Sequence, residues 1–173
     1  NLFSKEQWND IPEIFRTIYQ KNINEFYRFE SFNWLILIGF IHDLGKVLLL
    51  DKFGKLPQWS VVGDTFPVGY KLDSNYLYYE KNYHKNNISL NKNTYNKKCG
   101  FDKMDFSWGH DEYLSSILEI NNINLPKEAI YIIRYHSFYS WHSPQNNKIG
   151  YKELASNFDW YMLPLLKIFQ KAD

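Results

Sequence analysis

The sequence predicts a single all-α domain spanning residues 1–173. Apolar residues recur at helical spacing in several separate stretches, and residues 5–29, 32–50 and 151–173 are each predicted to form one helix. No stretch shows the apolar and polar alternation that is typical of a half-buried strand. The length allows one substantial core. The 20 basic and 19 acidic residues nearly balance, so the charge does not favour a nucleic-acid-binding protein.

Residues 32–50, FNWLILIGFIHDLGKVLLL, form the stretch around which the rest of the chain is organised. So long an apolar run is typical of a membrane span, but His42, Asp43 and Lys46 near its middle are costly at bilayer depth. We therefore predict a buried core helix, with the His-Asp pair near a helix end where Gly45 loosens the turn. Hydrogen bonds, an ion pair or a metal ion would each satisfy a buried pair, and this stretch alone leaves the three alternatives open.

Two irregular segments follow the central stretch. Residues 55–70 carry Pro and Gly at short intervals and predict an ordered loop, in which Gly63 and Asp64 are placed to present an N–H and a carboxylate to a polar small molecule. The local sequence alone favours an ordinary turn there. Residues 71–98 are rich in Asn, Lys and Tyr without periodicity, which predicts a long irregular surface insert.

Two further histidines precede the last predicted helix. His110 lies in SWGHDEYLSSILEI, a second His-Asp pair at the start of a predicted helix, and His136 lies on the apolar side of the next one. Each alone suits a packing or capping role. Together with His42 they favour a shared site. Imidazole and carboxylate ligands suit iron, manganese or zinc, and a single cysteine argues against an Fe-S or structural zinc site.

Four motifs in register carry a resemblance to a known family. They are HDLGK (42–46), QWSVVGDTFPVG (58–69), SWGHDEY (107–113) and AIYIIRYHSFYSWH (129–142). In this order and spacing they resemble the myo-inositol oxygenase family, over residues 34–173. The resemblance implies an HD-domain-like helical bundle with a non-haem di-iron centre. It also implies that the inositol ring is cleaved with dioxygen to give glucuronate.

The resemblance also implies roles for individual residues. It assigns the iron ligands to the chain's histidine and aspartate positions His42, Asp43, His110, His136 and Asp173. Asp43 would bridge two irons, and Lys46 would hold and activate a substrate hydroxyl. Lys46 would line the binding site of the polyol, myo-inositol, together with Gly63, Asp64 and Ser137.

One position departs from the family pattern. The family supplies a further histidine ligand from the preceding helix, and counting back without gaps places Thr17 there. A threonine hydroxyl is a far poorer ligand than imidazole. The alternative interpretation is therefore a catalytically degenerate relative, holding one iron or none and kept as a structural or binding protein within a complex. A phosphohydrolase of the HD type is less favoured, because it depends on the same histidine and does not account for the GDTFPVG motif.

Cysteine content bears on location, and the chain ends bear on the extent of the protein. A single cysteine allows no internal disulfide, which indicates a reducing and hence cytoplasmic compartment. We expect no membrane association. Because the sequence begins at Asn1 without a methionine and stops inside a predicted helix, we also expect it to be part of a longer chain.

Overall fold

The protein is described here from a computed structural model, which describes residues 3–17, 20, 33–70, 95–144 and 147–173. Within these ranges the only extended pairing is an isolated bridge between Pro67 and Phe106, so the all-α prediction is confirmed. Most of the predicted insert, residues 71–94, lies outside the described residues. The α-helices are α1 (Lys5–Asp10), α2 (Asn33–Ile41), α3 (Gln58–Val61), α4 (His110–Ile120), α5 (Lys127–Tyr135), α6 (Tyr139–His142) and α7 (Asn157–Ala172).

The prediction of one continuous helix over residues 5–29 is wrong. A capping box between Ser4 and Gln7 starts α1, which ends at Asp10. Ile11 is extended because it precedes Pro12, whose ring disfavours helical geometry in the residue before it. Residues 13–17 are helical again, and residues 18–19 and 21–29 lie outside the described part of the chain.

The central stretch is divided into two short helices. Helix α2 ends at Ile41, and a 3-10 helix, Leu44–Leu49, follows the turn that holds His42 and Asp43. The pair therefore lies at a helix end, as predicted. The prediction of one buried helix is wrong, because the helix breaks at this turn and α2 keeps one side exposed, with Ile36 at 69% and Phe40 at 80% exposure. No helix in the described ranges is long and apolar enough to cross a bilayer.

Packing of the 3-10 helix (Leu44–Leu49) places the turn beside α4. This 3-10 helix contacts α4, which also packs along α5. Gly45 makes the close approach possible, since a Cβ at this position would lie 1.9 Å from the backbone oxygen of His110. The first residue of α4 is thereby held against the turn that carries His42 and Asp43.

The core around these helices is dominated by aromatic rings. Phe101 and Trp141 are fully buried, with ring centroids 4.9 Å apart and planes nearly perpendicular, the edge-to-face arrangement that aromatic pairs favour. Phe138 packs against Phe101 at 5.2 Å. These rings lie in α6, in the residues between α5 and α6, and in the segment that precedes α4. Their packing fixes the junction of α5 and α6 against the core.

The last helix is shorter than predicted. Residues 151–154 form turns instead of the start of a helix, and α7 begins after Ser156, where a capping box with Asp159 satisfies the first backbone N–H groups. Pro164 lies inside α7, which continues through it to Ala172. This helix carries Asp173 to the turn after α2.

Candidate metal centre

Four segments of the chain bring histidine and aspartate side chains together. His42 and Asp43 come from the turn after α2, His110 is the first residue of α4, His136 directly follows α5, and Asp173 follows α7. The three histidines are buried. The side chains of Asp43 and Asp173 are 41% and 33% exposed to solvent. The cluster is therefore accessible from its carboxylate side.

The two oxygens of Asp43 face different neighbours. Its Oδ1 lies 3.2 Å from His110 Nε2 and 3.6 Å from His136 Nε2. Its Oδ2 lies 3.8 Å from His42 Nε2, and Asp173 Oδ1 lies 3.0 Å from that same nitrogen. Asp43 thus lies between one group made by His110 and His136 and a second made by His42 and Asp173, the arrangement that a bridging carboxylate requires.

Backbone carbonyls determine the tautomers of the three histidines. A carbonyl oxygen only accepts hydrogen bonds, so the Nδ1 atom facing it carries the proton and donates. In a neutral ring the Nε2 atom then presents a bare lone pair, as metal ligation requires. The three Nδ1 atoms of His42, His110 and His136 lie 3.0, 2.7 and 2.8 Å from the carbonyl oxygens of Gly39, Val61 and Ile133.

The Nε2 lone pairs, which face no hydrogen-bond donor, suit a bound cation. The Nε2 atoms of His110 and His136 are 3.0 Å apart and both face Asp43 Oδ1, so neutral rings leave acceptors facing acceptors. The Nε2 atom of His42 is buried and, within the described ranges, makes no hydrogen bond of acceptable geometry, although Asp173 Oδ1 lies 3.0 Å away. Ligand atoms of His42, Asp43 and His136 all lie within 4.8 Å of one another. A metal ion would satisfy these atoms, and this donor set suits iron, manganese or zinc.

Protonation states in the cluster also suit metal binding. The ammonium of Lys46, 2.5 Å from Asp43 Oδ2, favours the carboxylate form of Asp43. Burial lowers the pKa of His110, although the neighbouring Asp111 opposes the shift. The ring of His110 is therefore neutral, with its Nε2 atom available.

Of the residues predicted to contact a substrate, Lys46 contacts the cluster directly, and Ser137 directly follows His136. Lys46 lies in the 3-10 helix (Leu44–Leu49) and donates to Asp43 Oδ2 at 2.5 Å. The loop with Gly63 and Asp64 is fastened by the next residue, because the Thr65 N–H donates to the carbonyl of Ser137 at 2.9 Å. Gly63 has φ +152°, and a Cβ there would meet no atom within 4 Å.

Thr17 does not behave as a vacant ligand position. Its side chain is exposed, and its hydroxyl donates to the carbonyl of Glu13, one turn earlier in the same helical segment. The interpretation of the chain as a degenerate relative depended on a ligand position at Thr17. The structure does not support that alternative over the main interpretation.

Three side chains near the cluster were missed by the sequence analysis. The hydroxyl of Thr65 donates to the buried carboxylate of Asp111, which ties the loop to the start of α4. Burial, followed by the negative charges of Asp64 and Asp173, raises the pKa of Tyr139. His142 is fully buried, and burial lowers its pKa to about 3. All three residues lie inside the family motifs at 58–69 and 129–142, and these motifs were the one signal for them in the sequence.

Comparisons with known proteins identify relatives of this chain. The model of the family described as "Myo-inositol oxygenase" matches residues 4–173. Inositol oxygenase of Dictyostelium discoideum is 43% identical over 173 residues, covering 95% of this chain and 57% of the relative. Inositol oxygenase 1 of Arabidopsis thaliana is 45% identical over 148 residues, covering 82% and 46%. The human inositol oxygenase is 42% identical over 147 residues, covering 82% and 49%.

The chain thus spans about half the length of the curated relatives that it matches. The match nevertheless runs through every segment that contributes to the cluster, from the turn after α2 to the residue after α7. Because the family model covers nearly the whole chain and the relatives exceed 40% identity, the chain belongs to the myo-inositol oxygenase family.

Proposed function

We propose that this protein is an inositol oxygenase that binds two irons and uses dioxygen to cleave the ring of myo-inositol, giving glucuronate. The observation that carries the proposal is the pair of opposed imidazole groups around Asp43, with Nε2 to carboxylate-oxygen distances of 3.2 to 3.8 Å. Family membership supports inositol as the substrate, since the relatives are named for that activity. We place the protein in the cytoplasm, because its single cysteine suits a reducing compartment.

The cluster divides into two sets of ligands. His110 and His136 would hold one iron, His42 and Asp173 would hold the other, and Asp43 would be shared between them. Bound iron would supply the redox chemistry that dioxygen requires. The Nδ1 bonds to backbone carbonyls fix the three rings with Nε2 turned towards Asp43, so the protein preorganises the ligands before binding.

Lys46 and the loop after α3 would bind the polyol. The ammonium of Lys46 lies beside Asp43 with 39% of the side chain exposed, so it is able to meet a hydroxyl entering from the solvent side. A positive charge at that point favours the deprotonated form of the hydroxyl. Gly63, Asp64 and Ser137 add backbone and side-chain groups of the kind that a polyol's hydroxyls bind.

Metal analysis tests the proposal. Protein reconstituted with ferrous iron under nitrogen should hold two irons per chain after gel filtration, and should consume oxygen when myo-inositol is added. One iron without oxygen uptake would point to an impaired site. Protein that holds no iron would overturn the proposal.

Replacing Lys46 with methionine should abolish inositol-dependent oxygen uptake and leave iron content near two per chain. The alternative role for Lys46 is a structural counter-charge for Asp43, with which it forms an ion pair at 2.5 Å. The free energy of unfolding should fall by at most about 1 kcal/mol, since an ion pair this exposed contributes little. The matched control is Lys55→Met, which breaks an exposed pair with Asp51 at 3.0 Å and should keep full activity. Loss of thermal stability with activity retained would contradict the substrate role.

A further inference from the structure

The backbone carbonyl of His136 accepts two side-chain hydrogen bonds from other helices. His142 Nε2, from α6, donates to it at 2.8 Å, and Gln170 Nε2, from α7, donates to it at 2.8 Å. His136 directly follows the last residue of α5, so its carbonyl is one of the helix-end acceptors without a partner inside the helix. Two donors from separate elements therefore hold the end of α5 in place.

A buried lysine, Lys167, in turn holds the backbone of His142. The ammonium of Lys167, with only 9% of the residue exposed, donates to the carbonyl of His142 at 2.6 Å. It also donates to Gln7 Oε1 at 3.3 Å, which connects the network to α1. Within the described ranges no carboxylate forms an ion pair with Lys167. Burying an ammonium is costly, and the hydrogen bonds to these two oxygens offset that cost.

The position of the His136 backbone determines where its ring points. Its Nδ1 donates to Ile133, three residues earlier, so the ring turns together with the end of α5. Its Nε2 lies 3.6 Å from Asp43 Oδ1 and 3.0 Å from His110 Nε2, distances that a movement of about 1 Å would spoil. A loosened carbonyl at His136 would therefore move the ligand atom away from its partners.

We propose that His142 and Gln170 are positioning residues for the metal ligand His136, and that Lys167 holds His142 in place. They act through the backbone carbonyl of His136 and touch neither the metal nor the substrate. This inference rests on the proposed function, since it requires His136 to bind a metal ion. It concerns metal affinity and coordination geometry, which are measurable without turnover.

Cobalt titration tests the inference, because Co²⁺ binds His and carboxylate donors without oxidation and its visible absorption reports geometry. His142→Phe keeps a planar ring but removes the donor, and should weaken Co²⁺ binding by about 10- to 100-fold and alter the absorption bands, as loss of an outer-shell partner does elsewhere. His142→Gln keeps an N–H donor and should restore most of the affinity. Gln170→Leu, at a half-buried position, should weaken binding by about 10-fold even if His142→Phe fails to fold.

Asn121→Leu is the matched control. It removes an amide-to-carbonyl bond of the same 2.8 Å length at the end of α4, far along the helix from His110, and should leave Co²⁺ affinity unchanged. Folded His142→Phe and Gln170→Leu variants with the affinity and spectrum of the unmodified protein would overturn the inference. An unmodified protein that binds no Co²⁺ would overturn the proposed function itself, so the two failures are distinguishable.

Discussion

Replacing Asp43 with asparagine should reduce inositol-dependent oxygen uptake by about a thousandfold or more. Loss of an outer-shell partner alone costs about 10- to 100-fold in metal affinity or activity, and Asp43 lies within 3.8 Å of all three imidazole Nε2 atoms. Asparagine keeps the shape but removes the negative charge, and it cannot offer two anionic oxygens to two metal ions. Iron content should fall from two per chain to one or fewer, as measured by elemental analysis after gel filtration.

The fold of the metal-free protein should survive this change. Asp43 is part-exposed and its pair with Lys46 is open to solvent, so its loss should change the free energy of unfolding by at most about 1 kcal/mol. Asp51→Asn is the matched control, because it breaks another Asp-Lys pair in the neighbouring 3-10 helix, Asp51–Phe53. That variant should keep its iron and its activity. An Asp43→Asn protein that still holds two irons would rule out the bridging role.

A single methyl group at Gly45 should be the most damaging small substitution in the described part of the chain. The Cβ of Gly45→Ala would lie 1.9 Å from the backbone oxygen of His110 and 2.6 Å from its carbonyl carbon. A backbone clash is not relieved by changing a rotamer, so the 3-10 helix (Leu44–Leu49) must move away from α4. We expect a loss of about 3 kcal/mol in the free energy of unfolding, equivalent to about 6–12 °C in Tm, measured by urea and thermal denaturation.

Gly39→Ala separates this clash from a general effect of replacing glycine. Gly39 lies in α2, and a Cβ there would meet no atom within 4 Å. Alanine in a helix should therefore stabilise the protein by about 0.5–1 kcal/mol. The two substitutions, six residues apart, should act in opposite directions. Equal Tm values for the two variants would show that the packing of Gly45 against His110 has no energetic importance.

Much of the site could be predicted because its chemistry lies in short, local motifs. The HDLGK motif identifies His42, Asp43 and Lys46 together, and a helix end was expected where the structure has the turn. The convergence of His110 and His136 with this turn could not follow from local sequence. It depends on how α4, α5 and the 3-10 helix (Leu44–Leu49) pack, and the expectation came from the order of four family motifs.

Other features depend on tertiary contacts that no local pattern encodes. The apolar run at residues 32–50 favoured a buried helix, yet Ile36 and Phe40 of α2 are exposed, because hydrophobicity alone does not determine which side faces the core. The bonds from His142 and Gln170 to the carbonyl of His136 join α6 and α7 to the end of α5. Such bonds depend on where three separate helices end. The break at Ile11, by contrast, was readable from Pro12.

The metal cluster draws its ligands from segments far apart along the chain, which ties metal supply to folding. His110 and His136 are 26 residues apart, and Asp43 is considerably farther from both along the chain. An unfolded chain does not hold these atoms together, so a metal ion that binds them binds mainly the native state. At a free metal concentration of about 100 times Kd, this preference adds about 2.7 kcal/mol to stability. The proposed iron centre would thus make the lifetime of the folded protein in a cell depend on iron availability, and iron starvation would lower the protein's abundance as well as its activity.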